Sequence, residues 1–357
     1  MQPILALRSL VLVTLLTSCS HSDPAGAGKS YLGDAPFLDT DPVQLTFSPS
    51  IEGRPYYSPG GTWLAYAAGR GTAARQDLCL AMLPGSGGQQ RMLHCADDPD
   101  QTNRVEAVEH AAINDAGRIA FVRHVGLSGG FGSIDAGLFI TGLGETDPPR
   151  RLMQLGEFKP GAQGRWDYLQ GMTWTGEDEI TALVTTVNIG EQCEFCPIDT
   201  LYIGGDIVRI RTDLATPTYT VVGPSNGASR MAIDPTTRQI YLLHGNTIST
   251  MAPGGGAAEV FHVPPPVTGT ISDTVSSIAA GGGRVYYARH TRWQTGSGID
   301  ETHAIYRVDS PNSATLVFLS GAVRVHDYIT ASGDGRRIAF EGVSSGSRNI
   351  YRIEVTP

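Results

Sequence analysis

Arg54-Pro55-Tyr56-Tyr57-Ser58-Pro59-Gly60-Gly61, followed after one residue by Trp63-Leu64-Ala65-Tyr66, is the phrase that decides the fold. It reads as a short strand, a tight turn and a second, apolar strand. Pro and Gly supply the preset or positive φ that such a hairpin turn requires. The phrase recurs in looser form. Ala112-Ile113-Asn114-Asp115-Ala116-Gly117 precedes Ile119-Ala120-Phe121, and Met172-Thr173-Trp174-Thr175-Gly176-Glu177-Asp178 precedes Ile180-Thr181-Ala182-Leu183. Three more copies begin at Met231, Ser277 and Tyr328. The turn residues Gly61, Gly117, Asp178, Thr237, Gly283 and Gly335 stand 56, 61, 59, 46 and 52 residues apart. Third strands follow at 206–210, 304–308 and 349–353. Four strands per unit at this period predict an all-β chain folded as a six-bladed β-propeller of four-stranded antiparallel blades. A pair of β-sandwiches would not repeat one phrase six times.

The ends of the repeat predict how the ring closes. The sixth unit runs out at Pro357 after its third strand, while Val43-Gln44-Leu45-Thr46 is a strand left over before the first unit. Placed as the outer strand of the last blade, hydrogen-bonded to residues 349–355, it removes an open sheet edge. The propeller then occupies residues 42–357. Composition agrees: Gly 44, Pro 22 and only 17% charged residues suit many short strands joined by turns.

The run Gln44-Leu45-Thr46, then Pro55-Tyr56-Tyr57-Ser58-Pro59-Gly60-Gly61 and Leu64-Ala65-Tyr66, resembles the TolB-type propeller repeat. That repeat is a threonine-ended strand, then Pro-x-aromatic-Ser-Pro-Asp-Gly and an Ile-Ala-Phe-like strand. Ser332-Gly333-Asp334-Gly335 with Ile338-Ala339-Phe340 is the other clear match, and the middle units are degenerate. TolB itself carries an N-terminal α/β domain, for which the residues ahead of position 42 leave no room. The resemblance implies an envelope propeller that binds something.

The N-terminal residues point to the same compartment. Residues 1–8 carry one positive charge, Ser9-Leu10-Val11-Leu12-Val13-Thr14-Leu15-Leu16 is apolar, and Leu16-Thr17-Ser18-Cys19 resembles a lipobox. Residues 1–18 are therefore read as a lipoprotein signal peptide, Cys19 as the lipidated first residue of the mature protein, and 19–41 as a flexible tether. Ser20 in place of aspartate favours the periplasmic face of the outer membrane if the host is Gram-negative. A net charge of −9 argues against nucleic acid as the main partner. A monomer is expected, held at the membrane through its lipid.

Four cysteines remain, and an oxidising envelope suggests two disulfides. Cys79 and Cys95 are equidistant from Gly87 in the turn Pro84-Gly85-Ser86-Gly87-Gly88, so a hairpin folded there sets them face to face. Cys193-Glu194-Phe195-Cys196 is then a loop staple rather than a redox motif or half a zinc site. Three GxSxG strings, centred on Ser128, Ser225 and Ser344, lack the strand-to-helix context of a nucleophile elbow.

Residues just ahead of each inner strand should ring one mouth of the central channel. They include Glu52, Arg54, Glu109, His110, Asp167, Gln170, Arg230, Asp273, His326 and Asp327. This set supports a binding surface for protein, peptide or glycan, with no catalytic residue and no cofactor implied. The competing reading is a metal-assisted enzyme, lactonase- or lyase-like, with a channel-bound divalent cation held by Glu109, His110, Asp273, His326 and Asp327. Tyr56, Trp63, Trp166, Tyr168, Trp174 and Trp293 would form a ligand platform or, more simply, pack between blades.

Overall fold

The computed structural model describes residues 41–47, 51–69, 79–95, 104–127, 133–142, 149–157, 164–189, 200–214, 216, 218–296 and 298–356. Cys19, Cys193, Cys196 and Ser128 lie outside them, as do the signal-peptide and tether segments up to residue 40. Phe37–Pro357 form one compact unit. Within it stand six four-stranded antiparallel sheets in chain order, with no helix among the described residues.

Each blade starts at its inner strand. These strands are Glu52–Tyr57, Arg104–Ile113, Gly164–Trp174, Arg230–Ile233, Thr270–Gly281 and Arg324–Ala331, numbered here as blades one to six. The turn chemistry read from the sequence is in place: Gly61 has φ 73° and Gly335 has φ 67°, a conformation that only glycine adopts without cost. Asn114, at the second turn, accepts from the Arg118 N–H through Oδ1 at 2.8 Å and so closes that hairpin with its own side chain.

Blade six takes its outer strand from the N-terminal end of the unit. Val43–Gln44 pairs antiparallel with Arg352 and Tyr351. Leu45 N–H donates to the Ile350 carbonyl at 2.8 Å, and the Ile350 N–H donates to Thr46 Oγ1 at 2.9 Å. The leftover strand therefore closes the ring as its position in the sequence required.

The core is not a single centre but a set of interfaces between neighbouring blades. Ala65, Leu80 and Met82 of blade one meet Ile113, Ile119 and Phe121 of blade two. Ala112 and Leu138 of blade two meet Trp174 and Ile180 of blade three, and equivalent apolar clusters join every later pair. The last, between blades six and one, contains Ala339, Ile350, Tyr57, Leu64 and Leu45 from the closing segment. Because each sheet is covered on both faces, its second strand reads as a near-continuous apolar run; Trp63–Ala68 is buried at five of its six positions. Of the described aromatics, Tyr56 and Trp63 pack against these clusters, and Trp174 is fully buried with its indole N–H donating to the Ala112 carbonyl of blade two at 3.0 Å; the side chains of Trp166 and Tyr168 lie outside the described part.

Cys79 and Cys95 are direct cross-strand partners. Met82 faces Arg91, and an extra residue in the outer strand near Leu80 and Ala81 brings Cys79 onto Cys95. A bulge therefore delivers the register that the Gly87-centred turn implied.

Candidate functional site

The inner strands are irregular at one level. Their pairing slips between Gly53 and Tyr56, Glu109 and Ala112, Leu169 and Gly171, Val275 and Ser277, and Val325 and Ile329. Only blade four, whose inner strand is four residues long, pairs without a slip. A bulge interrupts the alternation of side chains and re-aims the residue it carries. Here it turns polar residues toward the propeller axis. At two of these bulges a non-glycine residue takes left-handed backbone, Arg54 at φ 54° and His110 at φ 47°. Such a conformation costs on the order of 1–3 kcal/mol and persists where the surroundings over-determine it.

The resulting channel has a cavity of about 110 Å³, with Arg54, His110, Gln170, Arg230 and Tyr328 among its polar lining and Met172 and Ile278 among the apolar. A water needs roughly 10–15 Å³, so several fit. A drug-sized ligand, which fills roughly 300 Å³ or more, does not.

Tyr328 is the centre of the polar lining. The Arg54 guanidinium carbon lies 5.6 Å from its ring centroid and that of Arg230 5.0 Å, and His110 approaches edge-on at 6.4 Å. Two like charges are thus held against one aromatic quadrupole, an arrangement that tolerates their mutual repulsion. Arg230 also donates to the Ser229 carbonyl at 2.9 Å. The buried carboxylate of Glu341 accepts from the Arg54 backbone N–H at 3.2 Å. Its other oxygen meets Arg348 at 3.0 Å and His326 Nδ1 at 3.2 Å. Glu341 therefore fixes the bulge from behind, through the Arg54 backbone. No carboxylate stands among the described residues that line the channel.

The rim residues expected from the sequence divide accordingly. Arg54, His110, Gln170 and Arg230 line the channel together. Glu52 does not: it is fully buried in blade one, hydrogen-bonded by Gln90, and burial pushes its carboxyl up to about 7 against the lowering bonds from Thr46 and Gln90. Asp273 is turned away into a two-pronged ion pair with Arg289 at 2.6 and 2.7 Å. Burial alone would raise its carboxyl, but the Arg289 hydrogen bonds and charge outweigh that and hold it below the usual carboxylate range. His326 is occupied by Glu341 and Arg348. Asp327 is half-buried on the blade-six bulge and outside the channel lining. Glu109 and Asp167 sit opposite Val122 and Thr186 on their strands, with their side chains outside the described part. Tyr328, the hub of the site, was missed at this level because the sequence presents it only as a strand residue.

On the face formed by the hairpin turns, Asp115, Arg118 and Asp178 line a cavity of about 500 Å³ and are also tied into the turns. Asp115 there accepts from Ser58 Oγ at 2.6 Å and Gly60 N–H at 2.7 Å, and Asp178 is ion-paired with Arg118. Ser225 and Ser344, from two of the GxSxG strings, sit at the end of an outer strand and in a β-hairpin, so neither stands on an elbow.

No family model and no curated protein matches this sequence. Among solved structures the chain is similar to a gluconolactonase from Xanthomonas campestris, 12% identical over 91% of this chain and 98% of that one, with a TM-score of 0.49. It is also similar to the β-propeller domain of the trilobed protease from Pyrococcus furiosus, 10% identical over 87% and 97%, TM-score 0.45. An acylaminoacyl peptidase from Pyrococcus horikoshii is 13% identical over 88% of this chain but only 47% of its own length, TM-score 0.45. At these identities none of these proteins' activities extends to this chain.

Proposed function

We propose that this protein is an envelope lipoprotein, anchored through Cys19, whose TolB-like propeller is a non-catalytic binding module for an acidic group of a protein, peptide or glycan. The observation that carries the binding reading is the channel mouth, where the guanidinium groups of Arg54 and Arg230 converge on the Tyr328 ring beside His110 and Gln170. In a chain of net charge −9, a cationic concavity is a local inversion of the overall field and selects an anionic group. Arginine adds geometry to charge, since its planar fork matches a carboxylate or phosphate. The channel is too small for a whole ligand, so the partner inserts one acidic group while its body rests on the rim.

The enzyme reading needs imidazole and carboxylate donors to meet in the channel. Of Glu109, His110, Asp273, His326 and Asp327, His110 is the one whose described side chain lines it. Location at the periplasmic face of an outer membrane, a monomeric state, and the Cys79–Cys95 and Cys193–Cys196 disulfides complete the proposal. The facing register of the first pair supports that bond.

Calorimetric titration with a glutamate-rich peptide and with an oligogalacturonate tests the reading. Either should bind, more weakly as salt rises, and Arg230→Gln should weaken binding about tenfold or more, the scale of a lost charged hydrogen bond. Binding indifferent to both salt and Arg230→Gln would remove the channel mouth from the function.

A further inference from the structure

The blade-five hairpin carries a second cluster, away from the channel. Its second and third strands, Arg284–Thr295 and Gly298–Ser310, set His290 directly opposite His303. Glu301 stands two residues before His303, and alternation puts both on one face. The two imidazoles stack at 17° with their centroids 4.1 Å apart. Both rings turn Nε2 toward the same carboxylate: His290 lies 3.4 Å from Glu301 Oε2 and His303 3.8 Å from Oε1. One donor atom from each of the three residues lies within 4.8 Å of the other two.

An ordinary ion pair does not account for this arrangement. One imidazolium suffices for one carboxylate, and Arg324 of blade six already grips Glu301 Oε1. Both Nε2 atoms are nevertheless shielded from solvent, and neither comes closer than 3.4 Å to a carboxylate oxygen, too far for a well-formed hydrogen bond. His303 is hydrogen-bonded to the Val325 backbone. With Nε2 unbonded, that contact falls to Nδ1, the restraint that fixes the tautomer and orientation of a metal-ligating histidine.

We propose that His290, Glu301 and His303 form a divalent transition-metal site, with Zn²⁺ the ion they suit best. Ligands at about 2.0–2.2 Å from a tetrahedral zinc stand roughly 3–4 Å from one another. The two imidazole–carboxylate separations already meet that spacing, and a small opening of the stacked rings brings their lone pairs together. Two nitrogens and one oxygen select against Ca²⁺ and Mg²⁺, which take oxygen shells. Three protein ligands leave a fourth position for water or for a donor from another molecule.

The test is titration of the metal-stripped full-length protein with Zn²⁺ by calorimetry and with Co²⁺ by visible absorption. One Zn²⁺ should bind per chain, and Co²⁺ should give the intense bands of a four-coordinate site. Glu301→Gln and His290→Gln should each weaken Zn²⁺ at least tenfold. Arg324→Gln separates loss of ligation from loss of fold: it keeps every donor and removes the competing cation, so Zn²⁺ should bind several-fold more tightly. No uptake by the unmodified protein, an unchanged affinity in Glu301→Gln, or weaker binding in Arg324→Gln would each overturn the site.

Discussion

Replacing Glu52 with glutamine should stabilise the propeller above pH 7 and remove part of its pH dependence. The carboxyl is fully buried beside Gln90, Tyr66 and the closing segment at Thr46, and its Oε2 makes no hydrogen bond. Burial raises its pKa from an ordinary 4.5 to about 7, with the Thr46 and Gln90 hydrogen bonds opposing the rise only in part. Below about pH 4.5 the group is protonated in both folded and unfolded chains, and its contribution to stability is fully present. Between 4.5 and 7 the unfolded chain releases the proton while the folded one retains it, so stability falls as pH rises. Above about 7 the loss is complete. At about 1.4 kcal/mol for each tenfold change in proton affinity, it amounts to on the order of 3 kcal/mol. Glutamine has the same shape and never ionises. Urea unfolding of both proteins across pH 5 to 8.5 gives a difference curve in which every other titrating group cancels. The variant should gain most of the 3 kcal/mol between those limits. Parallel pH profiles for the two proteins would refute the burial argument.

Three further outcomes follow from the same structure. Removing residues 42–47 should expose the edge of blade six and promote aggregation, whereas removing 20–38 should leave thermal stability unchanged; equal behaviour of the two truncations would refute strand closure. Peptide mapping without reduction should recover Cys79 joined to Cys95, and Cys79→Ser should cost roughly 3 kcal/mol for a loop of that size; free thiols at both positions would contradict it. Cys19→Ser should abolish labelling by a fatty-acid analogue, and persistent labelling would end the lipoprotein reading.

The fold was legible because hairpin turns write their chemistry into the chain. Gly61, Gly117 and Gly335 are glycines whose left-handed backbone the turns require, and their spacing counts the blades. Closure was legible for a related reason, since Val43-Gln44-Leu45-Thr46 had no other strand to pair with. The site was less so. Which way Arg54, His110 and Tyr328 point depends on bulges, and a one-residue slip moves a side chain to the other face without altering the apolar pattern. Neither Arg54 nor His110 is a glycine, so their left-handed backbone left no compositional trace. Glu52 lies two residues before Arg54 and Asp273 four before Ser277, but their strands aim them at Gln90 and Arg289. His290 and His303 meet only once the turn between residues 295 and 298 sets the hairpin register.

The closing strand also imposes an order on assembly. Thr46 bonds to Ile350 across 304 residues of chain, so its partner leaves the ribosome only after the five intervening blades. Contacts of such long range form slowly, because the loop must close before they stabilise anything. Throughout that interval five blades can build while residues 43–46 have no strand beside them. The open seam is then a place where a second copy's N-terminal strand can insert, joining two rings by exchange of the same segment. Dilution during refolding should therefore favour closed monomers, and crowding should favour swapped pairs.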